Sequence, residues 1–131
     1  MTKQERLEYQ REYRKRTNNA ATIKYEKTIN GFLMRLYANM KGRVSNADSK
    51  KAHLYFGKSI LSKEEFIKFS LDSVSFSLLF TAYKESGYQR RLCPSPDRVD
   101  SSKGYSVDNI EWVTQSVNSQ RGAIAKYAKI N

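Results

Sequence analysis

The sequence pattern changes at Gly87, and this change limits the fold to a helical part followed by a small mixed part. Before Gly87, large apolar residues recur at intervals of three and four, which is the spacing of one face of an α-helix. After Gly87, Pro94 and Pro96 argue against helix and favour extended backbone. Residues 110–113 (IEWV) then alternate apolar and polar residues with strong β-formers. We therefore predict an α+β fold that is mainly helical, with two short strands near its C-terminal end.

Between residues 31 and 87 the spacing predicts successive helices with a core-facing side. Ser62 and Glu65 form a capping box that begins one of them, and Asp72 or Ser73 can cap the next. Gly87 is predicted to end the last of these helices. The side chains predicted to face the core are Phe32, Leu33, Leu36, Tyr37 and Met40, then Phe66, Phe69 and Ser70, and finally Phe76, Leu79, Phe80 and Tyr83.

The last part of the chain predicts a strand, a long loop, a second strand and a helix. Residues 101–105 (SSKGY) are turn-forming, and Thr114 or Ser116 can cap the final helix. We expect Trp112 to lie in the core and Cys93 to behave as a small buried apolar residue. The apolar residues predicted for the final helix are Val117, Ile124 and Tyr127.

Positive charge is concentrated in the first half of the chain. The formal net charge is +11; residues 1–60 contribute +9 (14 Lys/Arg minus 5 Asp/Glu) and residues 61–131 contribute +2 (10 minus 8). An excess of this kind attracts polyanions and suits contact with phosphates. The alternative is a solvated helical face, which does not account for the asymmetry. The predicted nucleic-acid-binding residues are Arg11, Arg14, Lys15, Arg16, Arg35, Lys41, Arg43, Lys103 and Arg121.

Residues 3–28 form a basic, helix-prone segment with little apolar surface. Within it, residues 9–16 (YQREYRKR) interleave cations with aromatic rings, which suits phosphate contact along a groove, although a solvated helix has the same pattern. Such a helix cannot bury enough surface to be stable alone. We expect it to be frayed until DNA or another chain supports it.

Cysteine usage and hydropathy limit the class of protein further. Cys93 is the only cysteine, which excludes an internal disulfide framework and a zinc site built from several cysteines. No apolar run approaches the roughly 18 residues that span a membrane. The N-terminal residues lack the apolar region of a secretory signal. We therefore expect a protein of a reducing compartment, the cytoplasm, with no membrane contact.

The segment 96–118 (PDRVDSSKGYSVDNIEWVTQSVN) resembles HNH endonucleases of bacteriophages and mobile introns. The motif of that family begins with an Asp and a catalytic His at the end of a strand. An Asn follows in the loop, and a metal-binding His or Asn lies on a helix. The matching positions are Asp97, Arg98, Asn109 and Asn118. The resemblance implies a ββα-metal finger that nicks or cleaves DNA in the cytoplasm of a bacterial host.

The resemblance also implies a role for each matching residue. Asp97 and Asn118 would hold one divalent cation, and their oxygen donors suit Mg²⁺ or Mn²⁺ rather than zinc. Asn109 would brace the loop or orient the general base. The implied parts are a basic N-terminal helical segment (1–30), a helical scaffold (31–87) and an HNH-like ββα core (88–131).

Arg98 departs from the family pattern, because a general-base His usually occupies this position. Arginine stays protonated and cannot take a proton from water, but it can clamp the scissile phosphate. The only histidine is His53, far upstream. Three alternatives are open: His53 folds in as the base, metal-bound hydroxide acts with little help, or the site is catalytically inactive.

Two other functions therefore stand beside the nuclease. The missing histidine favours a catalytically degenerate HNH-fold protein that binds DNA or inhibits a host nucleic-acid enzyme. The aromatic-rich N-terminal half favours a module that binds a host or phage protein alone. A module of that kind has little need of +9 in its first 60 residues.

Overall fold

A computed structural model of the chain describes residues 1–17 and 20–121. The fold is α+β and mainly helical, as the sequence predicts. Ile124 and Tyr127, predicted for the final helix, lie outside the described residues. The elements are α1 (Lys3–Thr17), α2 (Ala20–Glu26), α3 (Ile29–Ser45), α4 (Ala52–Tyr55), α5 (Lys63–Leu71), α6 (Val74–Glu85), β1 (Pro94–Arg98), β2 (Ile110–Thr114) and α7 (115–121, where the described part ends), with 3-10 turns at Arg90–Leu92 and Val107–Asn109.

Local capping interactions fix the ends of α5 and α6. The Ser62 hydroxyl accepts a hydrogen bond from the backbone N of Glu65 at 3.1 Å, and the Glu65 carboxylate accepts one from the backbone N of Ser62 at 3.2 Å, which completes the predicted capping box. Ser73 caps α6. At its other end Gly87 has φ +77°, and the backbone N of the next residue donates to the carbonyl of Tyr83 at 2.9 Å. The predicted starts of both helices and the predicted stop are confirmed.

The core lies where α3, α5 and α6 meet the strands. Phe32, Phe66 and Phe76 are almost completely buried. Trp112 of β2 packs against two of them, with ring centroids 4.6 Å from Phe76 and 5.9 Å from Phe66. The predicted inner faces are confirmed, and so is the core position of Trp112. Cys93 is less buried than predicted: it is half-buried and packs against the edge of this core.

The two strands form an antiparallel ribbon in which Pro96 pairs with Trp112 and Asp97 pairs with Glu111. Two prolines are tolerated in β1 because every strand of a two-stranded sheet is an edge strand. Directly after β2, the Thr114 hydroxyl accepts a hydrogen bond from the backbone N of Val117 at 3.2 Å and caps α7. The order strand, loop, strand, helix is as predicted.

The long loop between the strands is fastened to the helical part of the molecule. Tyr105 is buried, and its backbone N donates to the Ser59 carbonyl at 2.9 Å, while its own carbonyl accepts from Leu61 at 2.9 Å. These bonds form a parallel bridge beside Ile60. The loop therefore has a fixed position relative to α4 and α5.

The N-terminal helices lie outside the core. Every side chain of residues 1–16 is exposed, so α1 presents its cations and its aromatic rings to solvent. The segment 3–28 is helical over α1 and α2, in line with the sequence. No helix in the described ranges is long and apolar enough to cross a membrane.

Candidate nucleic-acid interface

Asp97, the predicted metal ligand on β1, is engaged in an ion pair. Its cross-strand partner is Glu111, so the two carboxylates share one side of the ribbon. Arg121 of α7 bridges them, with its Nη1 3.1 Å from Asp97 Oδ2 and 3.0 Å from Glu111 Oε2. The hydrogen bonds that Arg121 donates, to Glu111 first and to Asp97 second, raise its pKa. The guanidinium is a fixed positive charge between the two carboxylates.

Asn118 lies on the same side of the ribbon as Asp97. Its Nδ2 donates to the Ser95 hydroxyl at 3.4 Å, and Ser95 is two positions before Asp97 on β1. The ribbon and α7 thus bring the two predicted metal ligands to one surface. No group of three or more His, Cys, Asp or Glu side chains suited to a metal occurs within 1–17 and 20–121.

The chemistry of the oxygen donors favours a metal at this surface, but their arrangement around Arg121 does not. The oxygens of Asp97, Glu111 and Asn118 are of the kind that Mg²⁺ and Mn²⁺ prefer. However, the side chain of Arg121 already forms an ion pair with both carboxylates. As arranged, these residues do not fit a divalent cation, because the cation would have to displace a guanidinium from between them.

Arg98, the residue predicted to clamp a phosphate, holds the loop and α4 together. Its Nη1 lies 3.0 Å from each of the carbonyl oxygens of Leu54, Ser101 and Lys103. Its guanidinium carbon also lies 4.2 Å from the centre of the Tyr55 ring. Arg98 therefore occupies a structural position, and this nitrogen is committed to backbone carbonyls.

Asn109 is buried and braces the same loop from inside. Its side-chain oxygen accepts from the backbone N of Asp100 at 2.8 Å, and its Nδ2 donates to the carbonyls of Asp100 and Gly104 at 3.0 and 2.8 Å. Ser102 donates two further hydrogen bonds to the Asp100 carboxylate, and these lower the pKa of Asp100. Of the two roles that the resemblance implies for Asn109, bracing is the one these contacts provide.

Lys58 and Arg43 join Arg98 around two stacked tyrosines. Lys58 Nζ donates to the Leu54 and Ser101 carbonyls at 2.6 and 2.8 Å, the same oxygens that Arg98 contacts. Arg43 Nη1 lies 3.4 Å from the Tyr105 hydroxyl, and its guanidinium carbon is 5.8 Å from the Tyr55 ring centre. Burial raises the pKa of Tyr105, so its phenol is neutral beside these cations.

The contacts of Arg43, Lys58 and Arg98 join segments that are rich in cations, and we call the cations on these segments the basic cluster. The same segments carry the acidic residues Asp48, Asp97 and Asp100, and the Asp100 carboxylate lies 4.0 Å from Lys103 Nζ. The sequence predicts Arg43, Arg98 and Lys103 as functional but misses the lysines at 50, 51 and 58, although their close spacing around α4 is visible in the chain. The basic cluster consists of Arg43, Lys50, Lys51, Lys58, Arg98 and Lys103.

His53 lies on α4, a single helical turn where the sequence suggests a loop. The turn forms because Phe56 and Leu54 donate backbone hydrogen bonds to Ala52 and Lys51, while Tyr55 packs on the core. His53 is exposed, and its imidazole makes no hydrogen bond with the described residues. Its neighbour Leu54 supplies the carbonyl that Arg98 binds. The fold thus brings His53 to the same part of the molecule as Arg98.

The other predicted nucleic-acid-binding residues lie on α1, α3 and α7, and the one on α7 is Arg121, which bridges Asp97 and Glu111. Arg35 and Lys41 are exposed on α3, and Arg35 lies over the Phe32 ring at 5.6 Å. The remaining four are exposed on α1: Arg11, Arg14, Lys15 and Arg16.

The chain was compared with protein-family models, with curated proteins and with solved structures, and no match was found in any of the three.

Proposed function

We propose that this protein binds DNA through the basic cluster, and that β1, β2 and α7 are an HNH-like ββα finger that has lost its catalytic centre. The observation that carries the proposal is the position of Arg98. A residue that cannot accept a proton stands in place of the general base, and it binds three backbone carbonyls.

Charge and rigidity support binding as the activity. Lys50, Lys51 and Lys103 are exposed, while Arg98 and Lys58 hold the segments that carry them. Cations on segments that are already held in place suit the phosphate backbone, because little loop ordering is needed on association. Phosphate contacts carry no sequence information by themselves. We therefore expect binding with weak sequence preference.

The binding proposal is tested by replacing two exposed lysines of the cluster. Fluorescence anisotropy would compare the wild type with Lys50→Ala/Lys51→Ala on duplexes of unrelated sequence. The expected result is weaker binding to every duplex by a similar factor. A matched control is Lys68→Ala/Lys84→Ala, which removes two exposed lysines from α5 and α6. Equal affinities for the wild type and the cluster variant would refute the proposal.

A metal-dependent nuclease is the second candidate, favoured by the placement of Asp97 and Asn118 on one side of the ribbon. A supercoiled-plasmid assay in Mg²⁺, Mn²⁺ or EDTA would compare the wild type with Asp97→Ala and His53→Ala. Nicking that needs the metal and is lost in Asp97→Ala would establish the nuclease, and the His53→Ala lane would identify the base. Binding without nicking is the result we expect.

A further inference from the structure

Phe56 is an exposed aromatic residue held in a fixed position beside the basic cluster. Its side chain is 52% exposed. Its backbone N donates to the Ala52 carbonyl at 2.8 Å, and the next residue, Gly57, donates to the Val44 carbonyl at 2.9 Å. Gly57 has φ +78°, which glycine adopts without strain. The segment that carries the ring is therefore anchored on both sides.

The neighbouring aromatic residue behaves differently. Tyr55 stacks on Tyr105 with ring centroids 6.3 Å apart, and the guanidiniums of Arg43 and Arg98 lie over its ring. Phe56 makes no comparable ring contact within the part of the chain that the structure describes. The ring is thus available to a partner, and packing inside the molecule does not account for it.

The charges around Phe56 indicate what kind of partner fits. Lys50, Lys51 and Lys58 lie within six residues of it on the same segment, and His53 is exposed on the same helical turn. Val74 and Leu78 of α6 are more exposed than Phe56, but they have no such group of cations in their segment. An aromatic ring among cations suits a strand of nucleic acid, whose bases stack on the ring while its phosphates meet the lysines.

We infer that Phe56 is a stacking platform for an unpaired base of DNA, with the flanking phosphates bound by Lys50, Lys51 and Lys58. This inference rests on the proposed function and deepens it, since it assigns to the basic cluster a preference for single-stranded or locally opened DNA. The two groups have separate tasks: the lysines bind the phosphates of the backbone, and the ring stacks on the base.

The test uses two strands that differ only in their bases. One is oligothymidylate, and the other is an abasic deoxyribose-phosphate strand of the same length and charge. The full-length Phe56→Ala variant is expected to bind oligothymidylate at least about fivefold more weakly than the wild type. Its affinity for the abasic strand is expected to be unchanged. Leu78→Ala, which removes a more exposed apolar side chain from α6, is the matched control.

A second variant supplies a direct readout of stacking. Phe56→Trp places an exposed indole at the site, whereas the native Trp112 is buried. Oligothymidylate is expected to quench the new emission and the abasic strand to leave it unchanged. If Phe56→Ala binds oligothymidylate as tightly as the wild type, or loses affinity equally for both strands, the platform is refuted while DNA binding stands. If the wild type binds neither strand nor a duplex, the proposed function fails as well.

Discussion

Gly104 lies where the long loop passes closest to the segment before α5. A Cβ atom at this position would lie 2.0 Å from the Ser59 carbonyl oxygen, so the backbone would have to move. The bonds at risk are those of the bridge at Tyr105, which fastens the loop to the helical part. The absence of a Cβ atom at Gly104 therefore allows the loop to pack directly against the backbone of Ser59.

We expect Gly104→Ala to lower the free energy of unfolding by about 1–3 kcal/mol, the usual cost of overpacking. Urea unfolding followed by circular dichroism would measure the change. The control is Gly42→Ala in α3, where an added Cβ meets nothing within 4 Å. That variant should be as stable as the wild type or more stable by up to about 1 kcal/mol, since alanine favours helix. A Gly104→Ala protein as stable as the wild type would contradict the close approach.

Cys93 is expected to make stability depend on alkaline pH. Burial raises the pKa of its thiol, so the folded state keeps the proton at a pH where the unfolded chain releases it. The stabilising effect is therefore complete below the unfolded pKa of about 8.5 and is lost as pH rises through the folded value. Burial also raises the pKa of Tyr83 and Tyr105, which extends the decline to higher pH.

The measurement is the urea midpoint of wild type and Cys93→Ala between neutral pH and the alkaline range. The wild-type midpoint should fall more steeply with pH than that of the variant. Only the slopes are compared, because removal of the thiol also changes packing. Parallel pH profiles would show that Cys93 does not contribute.

At the scale of elements, α1 differs from every helix that contributes to the core. Its described side chains are all exposed, including Leu7, Tyr9 and Tyr13. Residues 1–17 contain six Lys/Arg and three Glu, and the glutamates at 5, 8 and 12 fall within one stripe of the helix, leaving another side rich in cations. Such a helix gains stability from a partner and contributes little to the fold.

Deletion of residues 1–17 should therefore leave the thermal midpoint close to that of the full chain, while affinity for duplex DNA falls because cations are lost. Differential scanning fluorimetry and anisotropy would measure the two quantities on the same preparations. A control variant that keeps α1 but replaces Arg11, Arg14 and Lys15 by alanine should show the same loss of affinity. A large fall in the thermal midpoint would mean that α1 packs on the core.

At the scale of the whole molecule, the excess of positive charge should govern how binding responds to salt. The logarithm of the association constant should fall linearly with the logarithm of salt concentration, with a slope of about −0.9 per phosphate contacted in a duplex. Lys50→Ala/Lys51→Ala should make the slope less steep by up to about 2, one unit for each lysine. If the variant binds more weakly but its slope is unchanged, the two lysines do not contact phosphates and affect binding only through the folded structure.

The sequence predicted features that depend on neighbouring residues. The capping box at Ser62, the cap at Ser73 and the stop at Gly87 are local, and each lies where the pattern indicates. The inner faces of α3, α5 and α6 followed from periodicity, because spacings of three and four place side chains on one side of a helix. The turn α4 was missed, since four residues are too few for a periodic signal.

Only the tertiary structure determined which charges meet. Arg98 contacts the Leu54 carbonyl 44 residues away, Arg43 contacts Tyr105 62 residues away, and Arg121 bridges the carboxylate predicted as a metal ligand. Sequence reasoning assigned Arg98 to phosphate and Asp97 to metal from the residue types and the motif. Which partner a guanidinium or carboxylate takes depends on what the fold places within hydrogen-bonding distance. That proximity is set by the packing of distant segments, so spacing along the chain does not encode it.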